Sequence, residues 1–181
     1  MNTRRITRIA MFIALLVLGS QVVVPVGVVP FTLQTFVVYL IAYLLDPKDA
    51  FITVIIYTFM GLMGLPVFAG WSGSPHSIAT PSFGFILGFS IAAAVGSMLI
   101  RKNTDNALWK YLVVGVVTST VLNVFGLAYM YGYFNIYLKA GESIGQIIAW
   151  GFTPFIIGDA VKIFAAAVIA HRLRKIPSFK L

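Results

Sequence analysis

Long apolar runs, each closed by a short interruption of Pro, Gly or charge, follow one another along almost the whole chain. Reading from one interruption to the next predicts six helical stretches. The first is 9–24, stopped by Pro25, Gly27 and Pro30, and the second is 31–45, short and ended by Asp46 and Pro47. The third is 50–65, ended by Gly64 and Pro66, and the fourth is 83–100, ended by Arg101 and Lys102. The fifth, 108–138, is long enough to tilt or to run past a bilayer; the sixth, 144–170, ends in a basic tail. A helix needs about 20 apolar residues to cross a hydrocarbon core of about 30 Å. The pattern therefore predicts an all-α, polytopic integral membrane protein: one domain over residues 1–181, a bundle of six transmembrane helices. Arg4, Arg5 and Arg8 before an apolar run, with Gly19-Ser20 behind it, also have the look of a signal peptide. The apolar run continues to Val29, however, past the usual h-region of about 7–15 residues, and is read as the first transmembrane helix.

Composition sharpens this reading. Of the 181 residues, 60% are hydrophobic and only 10% charged, against about 25% charged in a typical soluble domain. The mean hydropathy is +0.96. A water-soluble fold of this size could not hide so much apolar surface. The absence of cysteine excludes a disulfide framework and thiolate chemistry.

The net charge of +8 raises nucleic acid as a partner. The charges sit in short clusters between apolar runs, as in a membrane protein that anchors its cytoplasmic loops, so no nucleic-acid partner is expected. With the N-terminus cytoplasmic and six crossings, the inner segments hold Arg4, Arg5, Arg8, Lys48, Arg101, Lys102, Lys110, Arg172, Arg174, Lys175 and Lys180. That is eleven of the thirteen Lys and Arg; Lys139 falls outside and Lys162 inside the sixth helix. The positive-inside rule then predicts both termini to be cytoplasmic in the cell membrane, with Asn103 and Ser178 inside and Ser74 outside. Five crossings would put the C-terminal basic cluster on the wrong side.

Two outer connections are elaborate, 25–30 and the Gly-rich 64–81, and elaborate loops on one face of a bundle often carry function. Phe68 and Trp71 point to an ordered lid, since aromatic residues in such a loop can cover a ligand. Asp159 and Lys162 are the one acid and the one base expected within a span. At a helix centre each would cost about 2.5–3.5 kcal/mol on insertion scales. Three residues apart, they share a helix face and can pair, either as a bundle-closing salt bridge or, preferred here, as a polar ligand site or ion pathway. Pro154 and Gly158 are expected to bend or unwind the start of that helix.

Gly115, Ser119 and Asn123 form a second polar stripe, with Tyr129 beyond it; helix packing and ligand contact both account for it. Gln34, at the top of the second helix, is a further candidate beside an interfacial reading. The small residues Gly84, Gly88, Ala92 and Gly96 predict close helix packing, and Ala10 with Ala14 forms a shorter pair suited to a partner protein.

Several activities drop out. No Walker A sequence is present, so ATP hydrolysis is not expected of this chain. His76 and His171 are far apart in sequence and lack metal-ligand spacing. There is no Gly-x-Ser-x-Gly elbow and there are too few acids for a paired-carboxylate hydrolase.

Four ordered stretches resemble the BioY family, the biotin-specific substrate-binding subunits (S components) of energy-coupling factor (ECF) transporters. Val29-Pro30-Phe31-Thr32-Leu33-Gln34-Thr35 resembles its Pro-x-Thr-Leu-Gln signature. Gly64-Leu65-Pro66-Val67-Phe68-Ala69-Gly70 is similar to its third-helix end and Gly-rich loop. Pro81-Ser82-Phe83-Gly84-Phe85-Ile86-Leu87-Gly88-Phe89 is similar to its Gly-Pro-Thr-Gly-Gly-Tyr-Leu-Leu-Gly-Phe block, and 154–162 to its Pro-Gly-Asp-x-x-Lys segment. Thr80 and Phe83 depart from family glycines, and Trp71, Ser72 and Ser74 replace part of a glycine run. These departures surround the expected pocket and leave room for an altered affinity or a related ligand.

The resemblance implies a six-helix bundle that holds biotin near the outer face and docks on a transmembrane coupling subunit with two cytoplasmic ATPases. Ala10 and Ala14 match the docking pattern, the ATP is used by the partners, and no resident cofactor is implied. The expected site is Asp159 accepting from a ureido N–H and Lys162 donating to the ureido carbonyl. Phe31, Trp71, Phe85 and Tyr129 are its candidate walls, and Gln34, Ser72 and Asn123 complete the candidate set. The carboxylate is expected near Gly84, where a helix start favours an anion. The rival readings are an S component for another vitamin, a proton- or ion-coupled carrier using Asp159, and, most remotely, a membrane-embedded enzyme.

Overall fold

The computed structural model describes residues 3–102 and 107–176; Asn103, Ser178 and Lys180 lie outside the described residues. All six predicted stretches are helical, and their ends differ in instructive ways. Helix α1 (Thr3–Gln21) starts well before the apolar run, so Arg4, Arg5 and Arg8 lie on its first turns. Val23–Val24 (β1) then pairs antiparallel with Phe31–Thr32 (β2). This short ribbon delays α2 (Gln34–Leu44), which does not start at Phe31. Helix α3 (Pro47–Leu62) begins earlier than predicted because Pro47 takes the first helical position, where its missing N–H costs nothing.

Two 3₁₀ turns, Ala69–Trp71 and Pro75–Ala79, order the long connection to α4 (Phe83–Arg101). Helix α5 (Leu108–Gly132) passes into a π-helical turn, Tyr133–Tyr137. The sixth stretch is not one helix. It breaks into α6 (Ile144–Gly151), a 3₁₀ turn at Thr153–Phe155 and α7 (Ile156–Leu173). Pro154 lacks the N–H that a continuous helix needs, and its ring would meet the carbonyl one turn back.

Among the described residues, three helical stretches are long and apolar enough to cross a bilayer, Phe83–Arg101, Leu108–Tyr137 and Ile144–Leu173. Helix α2, with 11 residues, reaches only about 17 Å. It is buried along nearly its whole length, flanked by α1, α4 and α7, which explains why it is apolar all round. The outward faces are apolar too: Leu18, Met63, Ile157 and Val161 are exposed, as expected of a surface that meets lipid.

The small-residue ladder on α4 packs against α5. A β-carbon added at Gly84 would lie 2.1 Å from Cβ of Tyr129, one at Gly88 3.0 Å from the Leu122 carbonyl, and one at Gly96 2.3 Å from Oγ1 of Thr118. At one end of the bundle, Arg5 at the start of α1 donates to Asp49 on α3 (2.7 Å), and Arg101 at the end of α4 pairs with Asp46. There too Arg174, after α7, donates to the Tyr43 carbonyl (3.0 Å). The start of α1 and the end of α7 therefore lie at the same end of the bundle, as an even number of crossings requires.

Candidate functional site

A cavity of about 190 Å³ opens between α2, α4, α5 and α7 and is covered by the 65–82 connection. The break at Pro154 places Asp159 in the first turn of α7, where the helix dipole favours a carboxylate. Asp159 and Lys162 both line the cavity and are almost fully buried, at 9% and 5% exposure. Lys162 Nζ donates to Asp159 Oδ1 at 3.2 Å and to Thr35 Oγ1 at 2.8 Å, and the Thr35 hydroxyl lies 3.4 Å from the same Oδ1. The described hydrogen bonds to Asp159 thus all end on Oδ1. Oδ2 is the atom left to accept from a bound molecule.

The third face of the ammonium meets an aromatic ring. Lys162 Nζ sits 3.6 Å from the centroid of Phe31, within cation–π range. Phe31 in turn stacks on Phe155, with 6.0 Å between centroids and 4° between planes. Gly158 makes this possible: a β-carbon there would lie 2.4 Å from Cε2 and Cζ of Phe31. The glycine one residue before the acid is therefore the floor on which the ring rests.

Gln34 lines the cavity, but its side chain is engaged. It donates to the Tyr57 hydroxyl and accepts from Thr32 Oγ1 (3.1 Å). The Tyr57 hydroxyl donates in turn to the Val67 carbonyl (2.8 Å), so Gln34 ties α2 through α3 to the covering loop. Asn123 lines the wall from α5 and donates to the Ser119 carbonyl at 2.8 Å, within its own helix. Phe85 and Phe89 from α4 supply apolar wall, and Ser72, Ser77, Thr80 and Ser82 line the covered end. The arrangement offers one buried cation, one carboxylate oxygen and a polar rim around aromatic walls. It suits a small molecule that carries donors and an acceptor at one end of an apolar body.

Seven of the ten residues singled out from sequence line this cavity: Asp159, Lys162, Gln34, Phe31, Ser72, Phe85 and Asn123. The other three do not, which corrects their expected placement. Trp71 is 65% exposed because it adopts a left-handed backbone, φ 57°, that turns it out of the loop; Phe68, 3% exposed, fills the place expected of it. Gly84 is taken up by the α4–α5 contact with Tyr129. Tyr129 donates its hydroxyl to the Ile78 carbonyl and faces a separate apolar groove under the Pro75–Ala79 turn. Sequence reasoning passed over Thr35 and Phe155. Thr35 stood within the Thr-Leu-Gln-Thr run, where its hydroxyl next to Gln34 was the available signal. Ala10 and Ala14 are exposed on the outer face of α1.

A sequence model of the BioY family matches residues 1–178. The chain is 38% identical over 173 residues to a "Biotin transporter BioY" of Thermotoga maritima, covering 96% of this chain and 97% of that one. It is 34% identical over 174 residues to a "Probable biotin transporter BioY" of Pyrococcus horikoshii, covering 96% and 98%. Its fold is shared with a crystal structure of the S-component for biotin from an ECF-type ABC transporter, with a TM-score of 0.84, 22% identity and coverage of 99% and 97%. The family resemblance read from four short motifs thus extends along the whole chain, and the protein belongs to the BioY family.

Proposed function

We propose that this protein captures biotin at the outer side of the cell membrane and hands it to an ECF-type uptake system as its substrate-binding subunit. The observation that carries the reading is the buried Asp159–Lys162 pair at the end of an otherwise aromatic cavity, in a chain whose relatives are biotin transporters. The ureido ring of biotin has two N–H donors and one carbonyl acceptor. Oδ2 of Asp159 accepts from one N–H, and the ammonium of Lys162, held by Thr35 and Asp159, turns its third N–H from the Phe31 ring to the carbonyl. The thiophane ring and aliphatic tail lie between Phe31, Phe85 and Phe155. The carboxylate goes to the hydroxyl rim at Ser77, Thr80 and Ser82, beside the start of α4, where backbone N–H groups and the helix dipole favour an anion. This shifts the carboxylate site from Gly84 to its neighbours in the covering turn.

In this reading both termini are cytoplasmic, and the exposed face at Ala10 and Ala14 docks on a transmembrane coupling subunit served by two ATPases. The eleven-to-one distribution of basic residues supports the orientation. Equilibrium binding of labelled biotin to detergent-purified protein tests the reading. Saturable binding, displaced by unlabelled biotin and absent in Asp159→Asn, is expected; no saturable binding by a folded sample rejects it.

A further inference from the structure

Residues 68–72 form a closed turn within the cover. Phe68 N–H donates to the Ser72 carbonyl at 2.9 Å, closing a small ring of backbone in which two of the three inner residues, Gly70 (φ 68°) and Trp71 (φ 57°), are left-handed. A tryptophan in that region costs energy and persists only where its surroundings hold it. Phe68, Ala69 and Ser72 of this ring line the cavity.

What holds the ring is a residue of another element. Gln21, the last residue of α1, accepts from Trp71 N–H at 2.8 Å through Oε1. Its Nε2 donates to the Phe68 carbonyl at 3.2 Å and to Ser20 Oγ at 2.7 Å. One carboxamide thus grips both arms of the ring, and it lies outside the lining of the cavity. Among the described residues, no other side chain from outside the ring hydrogen-bonds to its backbone. Ser20 and Tyr57 anchor the neighbouring Val67 carbonyl, and Tyr129 anchors the far turn at Ile78.

We propose that Gln21 is a positioning residue for the ligand site. By clasping Phe68 and Trp71 to the end of α1, it keeps the cover closed and sets how fast a bound ligand leaves. The ligand part of this inference rests on the proposed biotin binding; the clasp itself does not. Because Gln21 and the exposed Ala10–Ala14 face share one helix, any displacement of α1 acts directly on the cover.

The chain has no cysteine, so a single Ala69→Cys reports on the cover by its alkylation rate in ligand-free protein. In that background, Gln21→Ala removes the clasp, and Gln21→Met removes it while keeping side-chain length and helix propensity. Losing the two bonds to the ring predicts alkylation faster by about tenfold in both variants, with a melting temperature close to that of the parent. With Ala69 left in place, labelled biotin should also dissociate about tenfold faster from Gln21→Ala and Gln21→Met than from wild type, while association remains measurable. Unchanged alkylation in Gln21→Met overturns the proposal. So does acceleration that only accompanies a general fall in melting temperature, which marks a purely structural role. If wild-type protein binds no biotin, the proposed function fails, and the alkylation rates still decide whether the clasp exists.

Discussion

Replacing Lys162 by Met separates what the buried pair does for the fold from what it does for the ligand. The wild-type ammonium touches Thr35 at 2.8 Å, Asp159 at 3.2 Å and the Phe31 ring at 3.6 Å from its centroid. Lys162→Met keeps the length of the chain and leaves the Asp159 carboxylate buried, with only the long 3.4 Å contact to Thr35. Removing one member of a buried pair typically costs about 3–5 kcal/mol, because an uncompensated charge remains. Asp159→Asn in the same chain removes that charge, so the double variant should regain most of the lost stability. Biotin sees the opposite. Each single substitution is expected to weaken binding by about 2–5 kcal/mol, by analogy with truncating one partner of a buried charged contact, or roughly 30- to 5,000-fold. The double variant lacks both partners of the ureido group and should not recover. Thermal unfolding in detergent and equilibrium binding, run on all four proteins, read the two effects separately. A single variant that binds biotin like wild type, or a double variant that regains both stability and binding, refutes the assignment of this pair to the ligand.

Two further outcomes follow from topology. Ser74→Cys should react with an impermeant reagent from outside intact cells, and Asn103→Cys and Ser178→Cys only after the membrane is opened; outside labelling of Ser178→Cys would contradict an even number of crossings. Replacing Ala10 and Ala14 together by Leu should preserve biotin binding and reduce ATP-driven uptake, because a bulkier face holds a partner helix off; normal uptake in cells that carry the ATPase module removes the docking role.

The pair itself was legible in the sequence, since two ionisable residues three apart in an apolar run have little reason to be there unless they meet each other or a ligand. So was its setting, because Pro154 announces the break that lifts Asp159 to the start of α7. Its partners were harder to read. Helix α5 is apolar almost all round, so periodicity did not show that Asn123 faces the cavity and Tyr129 the turn above it. Trp71 looked like the lid because it is the largest side chain in a glycine-rich loop. Which aromatic residue points inward depends on two left-handed residues, and only one of them is a glycine. The commitment of Gln34 to Tyr57, and the clasp of Gln21 on Phe68 and Trp71, join residues 23 to 50 positions apart. No local pattern encodes such long-range pairs.

The central claim is that Asp159 and Lys162 read the ureido group of biotin, and titrating purified wild-type protein with biotin and with a biotin methylated on both ureido nitrogens tests it most directly. The dimethyl compound keeps the carbonyl, the ring sulfur, the tail and the carboxylate, and it has no N–H to give Asp159. The account predicts saturable biotin binding and at least about a hundredfold weaker binding of the dimethyl compound; equal affinities for the two would contradict it.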